Sequence, residues 1–294
     1  MSDLAAALAR ATPLLIAGLA VALAFRAGIW NIGAEGQLLA GAVAAAWVGT
    51  RWHLHSPLFA LAVIPLVAAL AGAAWAAVPA LLRARFGVLE VITTIMLNFI
   101  AEHLVGFLVH GPLQEAARTY PQSDPIATAA RLAPLIPGTR FTVVFPAAVG
   151  LAVLLWIFLT RTSAGFALRA TGASPLAARV SGRIRVTRVT VLAFLASGAL
   201  AALAGAAEVC GVTFALYERL SPGYGYTAIA VALLARLHPL WIALSALFFG
   251  TLEAGAAALQ RSAGIPSVTV YAVEALIILG LIVFDRAARR AATA

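Results

Sequence analysis

Glu90, Thr94, Asn98 and Glu102 recur every four residues within an otherwise apolar stretch. On a helix that spacing draws one slowly drifting polar stripe. Such a stripe in an apolar segment either lines a water-filled path or bonds neighbouring helices together. Asn31-Ile-Gly-Ala-Glu-Gly-Gln37 sets three more polar side chains, Asn31, Glu35 and Gln37, at the start of a second apolar run. A charge facing hydrocarbon is expensive, so Glu35 is expected to face the protein interior, water or a partner. Two roles fit it: bonding backbone groups freed by Gly33 and Gly36, or gating and transport. With Asn31 at a membrane edge, Glu35 is expected only about one helical turn inside. Tyr224 and Tyr226 follow a Gly-rich break, with Glu208 before it. Their rings can stack on a planar or sugar-like solute while the hydroxyls hydrogen-bond. Aromatic residues at membrane interfaces are the plainer alternative. Glu253 and Glu274 are further acids in apolar runs, with no evident partner in the sequence.

None of these residues falls into a hydrolytic or metal-binding motif, so an enzyme is not the reading. All twenty basic residues are Arg, and without Lys the Gly-Lys phosphate loop of nucleotide-binding proteins cannot exist here. Cys210 is alone, which excludes an intrachain disulfide and a cysteine-based metal site.

The elements that position these residues are membrane helices. Of the 294 residues, 63% are hydrophobic and only 11% charged, a balance foreign to soluble domains. The net charge of +9 does not indicate nucleic-acid binding, because the arginines lie between apolar segments, where they orient the chain and meet lipid headgroups. Nine spans are expected, near 11–26, 32–50, 57–82, 88–110, 141–160, 189–209, 224–237, 239–259 and 268–285. The chain thus reads as one all-α, polytopic domain over 1–294, with segment 224–237 broken or re-entrant. Ser2 to Ala9 is too short and too uncharged for a cleavable signal, so the first apolar segment is expected to stay. The Gly-rich starts at 31–37 and 221–226 are separated by five spans and so run in opposite directions. That pattern predicts an inverted repeat with interrupted helices near the midplane.

Segment 161–188 is the densest cationic interruption. It carries Arg161, Arg169, Arg179, Arg183, Arg185 and Arg188 and no acid. The excess of positive charge predicts a cytoplasmic loop. From it the N-terminus is expected outside and the C-terminus, with Arg286, Arg289 and Arg290, inside. Arg10 and Arg51 run against the rule. Ser174-Pro175 is a helix start, with Ser as cap and Pro at the first helical position. About two helical turns follow to Ser181, and Gly182 is the stop. The small residues Ala177 and Ala178 on this helix suit a groove on another protein; an ordinary solvated loop is the alternative. The Pro-rich stretch 111–140 is expected to lie outside, as a linker or as a cap over a pore mouth.

Four stretches together resemble one family. They are Pro13 to Ala42, Glu90 to Ala101 (EVITTIMLNFIA), Gly165 to Gly182 (GFALRATGASPLAARVSG) and Gly223 to Gly255. In this order they resemble the permease subunits of ATP-binding-cassette importers, in the branch serving ribose, branched-chain amino acids and nucleosides. NIGAEGQ and TTIMLN are most similar to the nucleoside permeases. The resemblance implies a second permease, identical or related, two cytoplasmic ATPase domains that bind the ATP, and an extracytoplasmic solute-binding lipoprotein. This chain would bind no cofactor itself and would sit in the cell membrane. The resemblance also implies that Arg169, Gly172, Ser174, Pro175, Ala177, Ala178 and Gly182 belong to the segment that couples to the ATPase. Asn31, Glu35, Gln37, Glu90, Thr94, Asn98, Tyr224 and Tyr226 are then candidates for the translocation path. A simple-sugar permease and an ion-gradient carrier are the alternatives. Arg183 and the Leu216 to Leu220 stretch depart from the usual family text.

Overall fold

A computed structural model describes residues 2–52, 54, 56–263, 276 and 280. The expected ninth span, Glu274 and the C-terminal arginines lie outside the described residues. The described chain is helical, with isolated bridges and no named strand. Its helices are α1 (Ser2–Arg26), α2 (Ala34–Arg51), α3 (Pro57–Phe86), α4 (Glu90–His110), α5 (Val144–Arg161), α6 (Ser163–Ala173), α7 (Pro175–Val180), α8 (Val186–Glu208), α9 (Tyr224–Leu234) and α10 (Pro239–Ala263). Six of them are long and apolar enough to cross a membrane by length and composition. Helix α2 and the short α9 are not among the six, and both begin beside the polar residues that sequence reasoning singled out.

Helix α1 is the axis of the bundle, and most of its residues are buried. Helices α3, α4 and α5 instead leave most of theirs unburied, with Leu66, Leu70, Phe99, Phe107 and Leu154 exposed. Exposed apolar faces of this extent on spanning helices are the lipid-facing surface. Small residues let α8 sit close to both α2 and α3. A Cβ on Gly198 would lie 2.5 Å from Ala76 Cβ, and one on Gly41 would lie 2.6 Å from the Ala202 backbone.

The connections gather at two ends. At one end the Trp30 amide reaches Glu90 Oε1 at 3.4 Å, Arg26 Nε donates to Leu237 O at 3.0 Å, and Gly28 packs against Gly172. At the other, Arg51 donates to Pro112 O at 2.9 Å, and segment 111–140 meets the chain after α8. There Ile126 N donates to Phe214 O, Ser123 N to Leu216 O and Leu132 N to Cys210 O. The Pro-rich stretch is therefore pinned to the chain after α8. Within it Glu115 accepts from Gln122, from Tyr120 N at 2.9 Å and from Thr119 N at 3.2 Å. These donors hold the Glu115 carboxyl below the usual carboxylate range, the Gln122 bond most of all.

The cationic segment is more ordered than a loop. Helix α6 precedes the expected short helix, and its Thr162 cap accepts from Gly165 N at 3.0 Å. Gly165, Leu168 and Thr171 turn inward at helical spacing. Helix α8 ends in a π-helical turn, Val209–Thr213, and reverses at Phe214.

Candidate functional site: a junction of two helix N-termini

A helix begins with backbone N–H groups that have no partner within it. In a bilayer no water relieves them, so each must be met by protein. Helix α2 starts after Gly33, which offers no side-chain cap. Its cap comes from α4: Asn98 Oδ1 accepts from Gly36 N at 2.9 Å. The Asn98 amide nitrogen donates to Ile32 O at 2.9 Å and to the Tyr226 hydroxyl at 3.1 Å. One buried amide thus holds the loop before α2, the first turn of α2 and a ring on α9.

Helix α9 starts after Gly223, whose φ of 102° is open to glycine and strained for other residues. Ser221 Oγ accepts from Gly223 N at 3.1 Å and from Tyr224 N at 3.0 Å. The next amide, Gly225 N, donates to Glu35 Oε2 at 2.6 Å. Glu35 lies in the first turn of α2 and is 2% exposed. Its carboxylate therefore sits at the positive ends of two helix dipoles, its own and that of α9. That placement suits a buried carboxyl group, whose oxygen accepts from a helix-start amide. The backbones touch as well, for a Cβ on Gly225 would lie 2.5 Å from Glu35 Cα and 2.7 Å from the Ala34 carbonyl carbon.

Loop 27–33 is closed by a side-chain clasp. Asn31 Nδ2 donates to Gln37 Oε1 at 3.0 Å, and Gln37 Nε2 returns a bond to Asn31 Oδ1 at 3.1 Å. Asn31 also donates to Ser197 Oγ at 3.0 Å, and Ser197 donates to Ala20 O at 2.8 Å. Asn31 and Gln37 are buried and bonded to each other, so in this conformation they build the loop rather than line an open path.

The depth of the junction differs from the expected single turn. Asn98 lies eight residues along α4 from Glu90, about 12 Å at 1.5 Å per residue. Loop 27–33 runs inward from Arg26, so Glu35 meets Gly225 deep in the bundle. The α4 stripe also divides. Glu90, Thr94 and Asn98 are buried, whereas Glu102 is exposed. Four residues turn a helix by about 400°, so the row drifts about 40° per step and leaves the inner face by the third. Ala101, not Glu102, continues the buried row.

The structure brings Asn31, Glu35, Gln37, Thr94, Asn98, Tyr224 and Tyr226 to one region, with Thr94 beside Gly33. Tyr224 is buried, whereas Tyr226 is 38% exposed and presents part of its ring outward. Glu90 stands apart, paired with Arg83 where α3 gives way to α4. Sequence reasoning missed Ser197 and Ser221. Ser221 precedes Pro-Gly at a helix start, a capping signal that was legible; Ser197 gave none. Among the described residues no group of three or more His, Cys, Asp or Glu is placed to hold a metal.

The second region is α6–α7. Ser174 Oγ accepts from Ala177 N at 3.3 Å, and Gly182, with φ 69°, ends the element as expected. One detail differs: Ala178 is 4% exposed and packs into this chain, so it cannot belong to an outward docking face. Leu176 and Val180, 73% and 78% exposed, present the outward surface with Ala177. Gly172 lies against the end of α1, where a Cβ would be 2.9 Å from the Arg26 carbonyl carbon and from Gly28 N.

Residues 4–284 match the family described as the branched-chain amino acid transport system permease component. The chain belongs to this permease family. It is 41% identical over 288 residues to a glucose ABC transporter permease of Haloferax volcanii, covering 94% of this chain and 74% of that one. It is 37% identical over 276 residues to a guanosine ABC transporter permease of Bacillus subtilis, covering 91% and 77%. A nucleoside ABC transporter permease of Lactococcus lactis is 31% identical over 275 residues, covering 90% and 75%. No solved structure matches the chain at a significant level. The permease is therefore a multi-pass membrane protein of the ABC importer type.

Proposed function

We propose that this permease carries nucleosides into the cytoplasm, working with a second permease, two ATPase domains and an external binding lipoprotein. The observation that carries the reading is the junction itself. The two stretches that resemble nucleoside permeases, NIGAEGQ and TTIMLN, meet there, and the partly open Tyr226 ring and hydroxyl stand beside Asn98. A planar base can stack on such a ring while a ribose hydroxyl exchanges with the Tyr226–Asn98 bond. The guanosine and nucleoside permeases among the relatives support the same class. The end holding Arg83, Arg85, α6 and α7 faces the cytoplasm in this reading, and Leu176 and Val180 seat in the ATPase. Closure of the ATPases on ATP then moves α6–α7 and, through Gly172, the end of α1, so that access to the junction alternates.

Glucose is the second reading, favoured by the relative at 41% identity. Uptake of radiolabelled guanosine and of radiolabelled glucose by cells lacking only this chain separates the two. Loss of guanosine uptake, restored by the returned chain, is the expected result. Loss of glucose uptake alone would replace the proposal with the second reading. Loss of neither would remove both.

A further inference from the structure

Of the α4 stripe, Glu102 alone is exposed, and the junction leaves it over. It stands twelve residues along α4 from Glu90 and eight before His110, about 18 Å and 12 Å at 1.5 Å per residue. That depth falls inside a hydrocarbon core of about 30 Å. A carboxylate facing lipid there would be costly, so the open side of Glu102 faces water, a solute or another chain. Its surroundings favour a solute. Glu102 is close enough to Glu35 and to Tyr226 for its charge to act on both. Its side chain makes no hydrogen bond or ion pair among the described residues. Tyr226 reaches across from α9 to Asn98, one helical turn inward of Glu102, and is itself 38% exposed. A partly open ring, an amide and an unspent carboxylate therefore border one opening. One turn farther out, a Cβ on Gly106 would lie 3.6 Å from Glu218 Oε1, so the polar edge continues outward from there.

An ionised carboxylate accepts hydrogen bonds and donates none. The solute group that suits its two oxygens carries two donors side by side. A vicinal diol is such a group, and O–H bonds to a carboxylate are among the stronger hydrogen bonds. Asn98 and Glu102, four residues apart on one helix, have Cβ atoms about 5–6 Å apart. A furanose ring fits between groups at that spacing. The hydroxyl end of Tyr226 meets α4 at Asn98, so a base stacked on the ring brings its sugar to this pair. We propose that Glu102 is a specificity-determining residue of the junction, accepting from the 2′ and 3′ hydroxyls of a ribonucleoside. This role rests on the nucleoside reading and adds to it a selection for ribose over its deoxy forms. Asn98 holds the inner side of the sugar, and Glu102 holds the outer side.

The test is uptake of radiolabelled guanosine and of radiolabelled 2′,3′-dideoxyguanosine by cells whose only copy of this chain is the parent or a variant. The other components of the importer are the same in every strain, so a change in the ratio of the two rates reports on this chain. The ratio is also independent of how much permease reaches the membrane. The parent should favour guanosine. Glu102→Ala should lower the ratio about tenfold or more, as loss of a charge-assisted hydrogen bond does. Glu102→Gln, uncharged and of the same size, should lower it severalfold, and it supplies the ratio if the Ala variant transports neither nucleoside. Glu218→Ala should leave the ratio at the parental value. A parental ratio in both Glu102 variants, with guanosine still taken up, would refute the contact and leave the nucleoside reading standing. An equal shift in Glu218→Ala would also refute it, replacing a contact with the general field of the polar edge. No guanosine uptake by the parent would remove the nucleoside reading, and this role with it.

Discussion

The contact between α2 and α9 can be broken by one methyl group, and its geometry sets the cost. A Cβ at Gly225 would stand 2.5 Å from Glu35 Cα and 2.7 Å from the Ala34 carbonyl carbon, all backbone. Carbon atoms rest about 3.5–4.0 Å apart. In Gly225→Ala the two helix starts must therefore separate by about 1 Å or more, since no side chain is available to swing aside. The Gly225 N to Glu35 Oε2 bond, now 2.6 Å, then lengthens past useful range. Overpacking costs about 1–3 kcal/mol. Leaving a buried hydrogen-bonding group without its partner costs about 1–3 kcal/mol. The better helix propensity of Ala returns up to about 1 kcal/mol. A net loss of about 1–6 kcal/mol is expected. Gly150→Ala in α5 is the control, because a Cβ there meets nothing within 4 Å. Reversible denaturant unfolding in micelles measures both variants, and uptake in cells measures the consequence. Gly225→Ala should unfold at clearly lower denaturant and transport poorly, while Gly150→Ala should match the parent. If the two variants behaved alike in both assays, the apposition of the helix starts would be wrong.

Glu35→Gln keeps an acceptor for Gly225 N, so a loss of about 1 kcal/mol with uptake retained is expected; abolished uptake at parental stability would give the carboxyl group a transport role. Leu176→Glu with Val180→Glu should abolish copurification of the ATPase and uptake while membrane insertion is unchanged, and persistence of both would remove α7 as the docking element. Glu115 has a depressed carboxyl, so its ionised form holds the turn of segment 111–140. That contribution is fully present above the unfolded carboxylate value of about 4.3 and is lost as pH falls through the lower folded value. Hydrogen exchange at Thr119 and Tyr120 should therefore gain protection relative to Glu115→Gln above that range and converge with it at strongly acid pH. Gly172→Ala drives a methyl into the Arg26–Gly28 backbone and should reduce uptake more than ATPase binding; an equal loss of both would place the defect in docking instead.

Much of this arrangement is written in local sequence. Apolar runs mark the long helices, because a bilayer demands continuous hydrophobic length. Ser174-Pro175 marks α7 because a cap and an N1 proline act within one turn. The polar text at 31–37 and at 90–98 marks the junction, because polar side chains in apolar spans need a reason. What stayed illegible depends on distant partners. The bonds Asn98 to Gly36 and Glu35 to Gly225 join residues far apart in the chain, and no periodicity records such pairings. The depth of Glu35 followed from where loop 27–33 travels, which the residues of that loop do not state. Helix α6 was hidden because its inward stripe of Gly165, Leu168 and Thr171 is weakly apolar and lies among arginines. Ala178 was misplaced outward because a small residue on a short helix fits either face until the neighbouring helices are known.

Both starts draw a cap from another helix, although Ser221 also caps α9 locally. Asn98 serves α2 from another helix, and Glu35 of α2 completes what Ser221 begins for α9. A self-capped helix end can drift without losing its bonds, but an end capped from another helix cannot. Any motion of α2 relative to α9 must break the Glu35 bond, and in the bilayer the freed amide needs a replacement acceptor at once. A polar solute with hydroxyls, or the water that accompanies it, is such a replacement. The clasp of Asn31 with Gln37 makes loop 27–33 a stiff link between the end of α1 and the start of α2. A displacement delivered at Gly172 therefore reaches the junction through covalent chain rather than through soft packing. In this structure loop 27–33 joins the Gly172 contact to the polar centre by covalent chain, and a transport cycle that used it would require the junction to take a second arrangement.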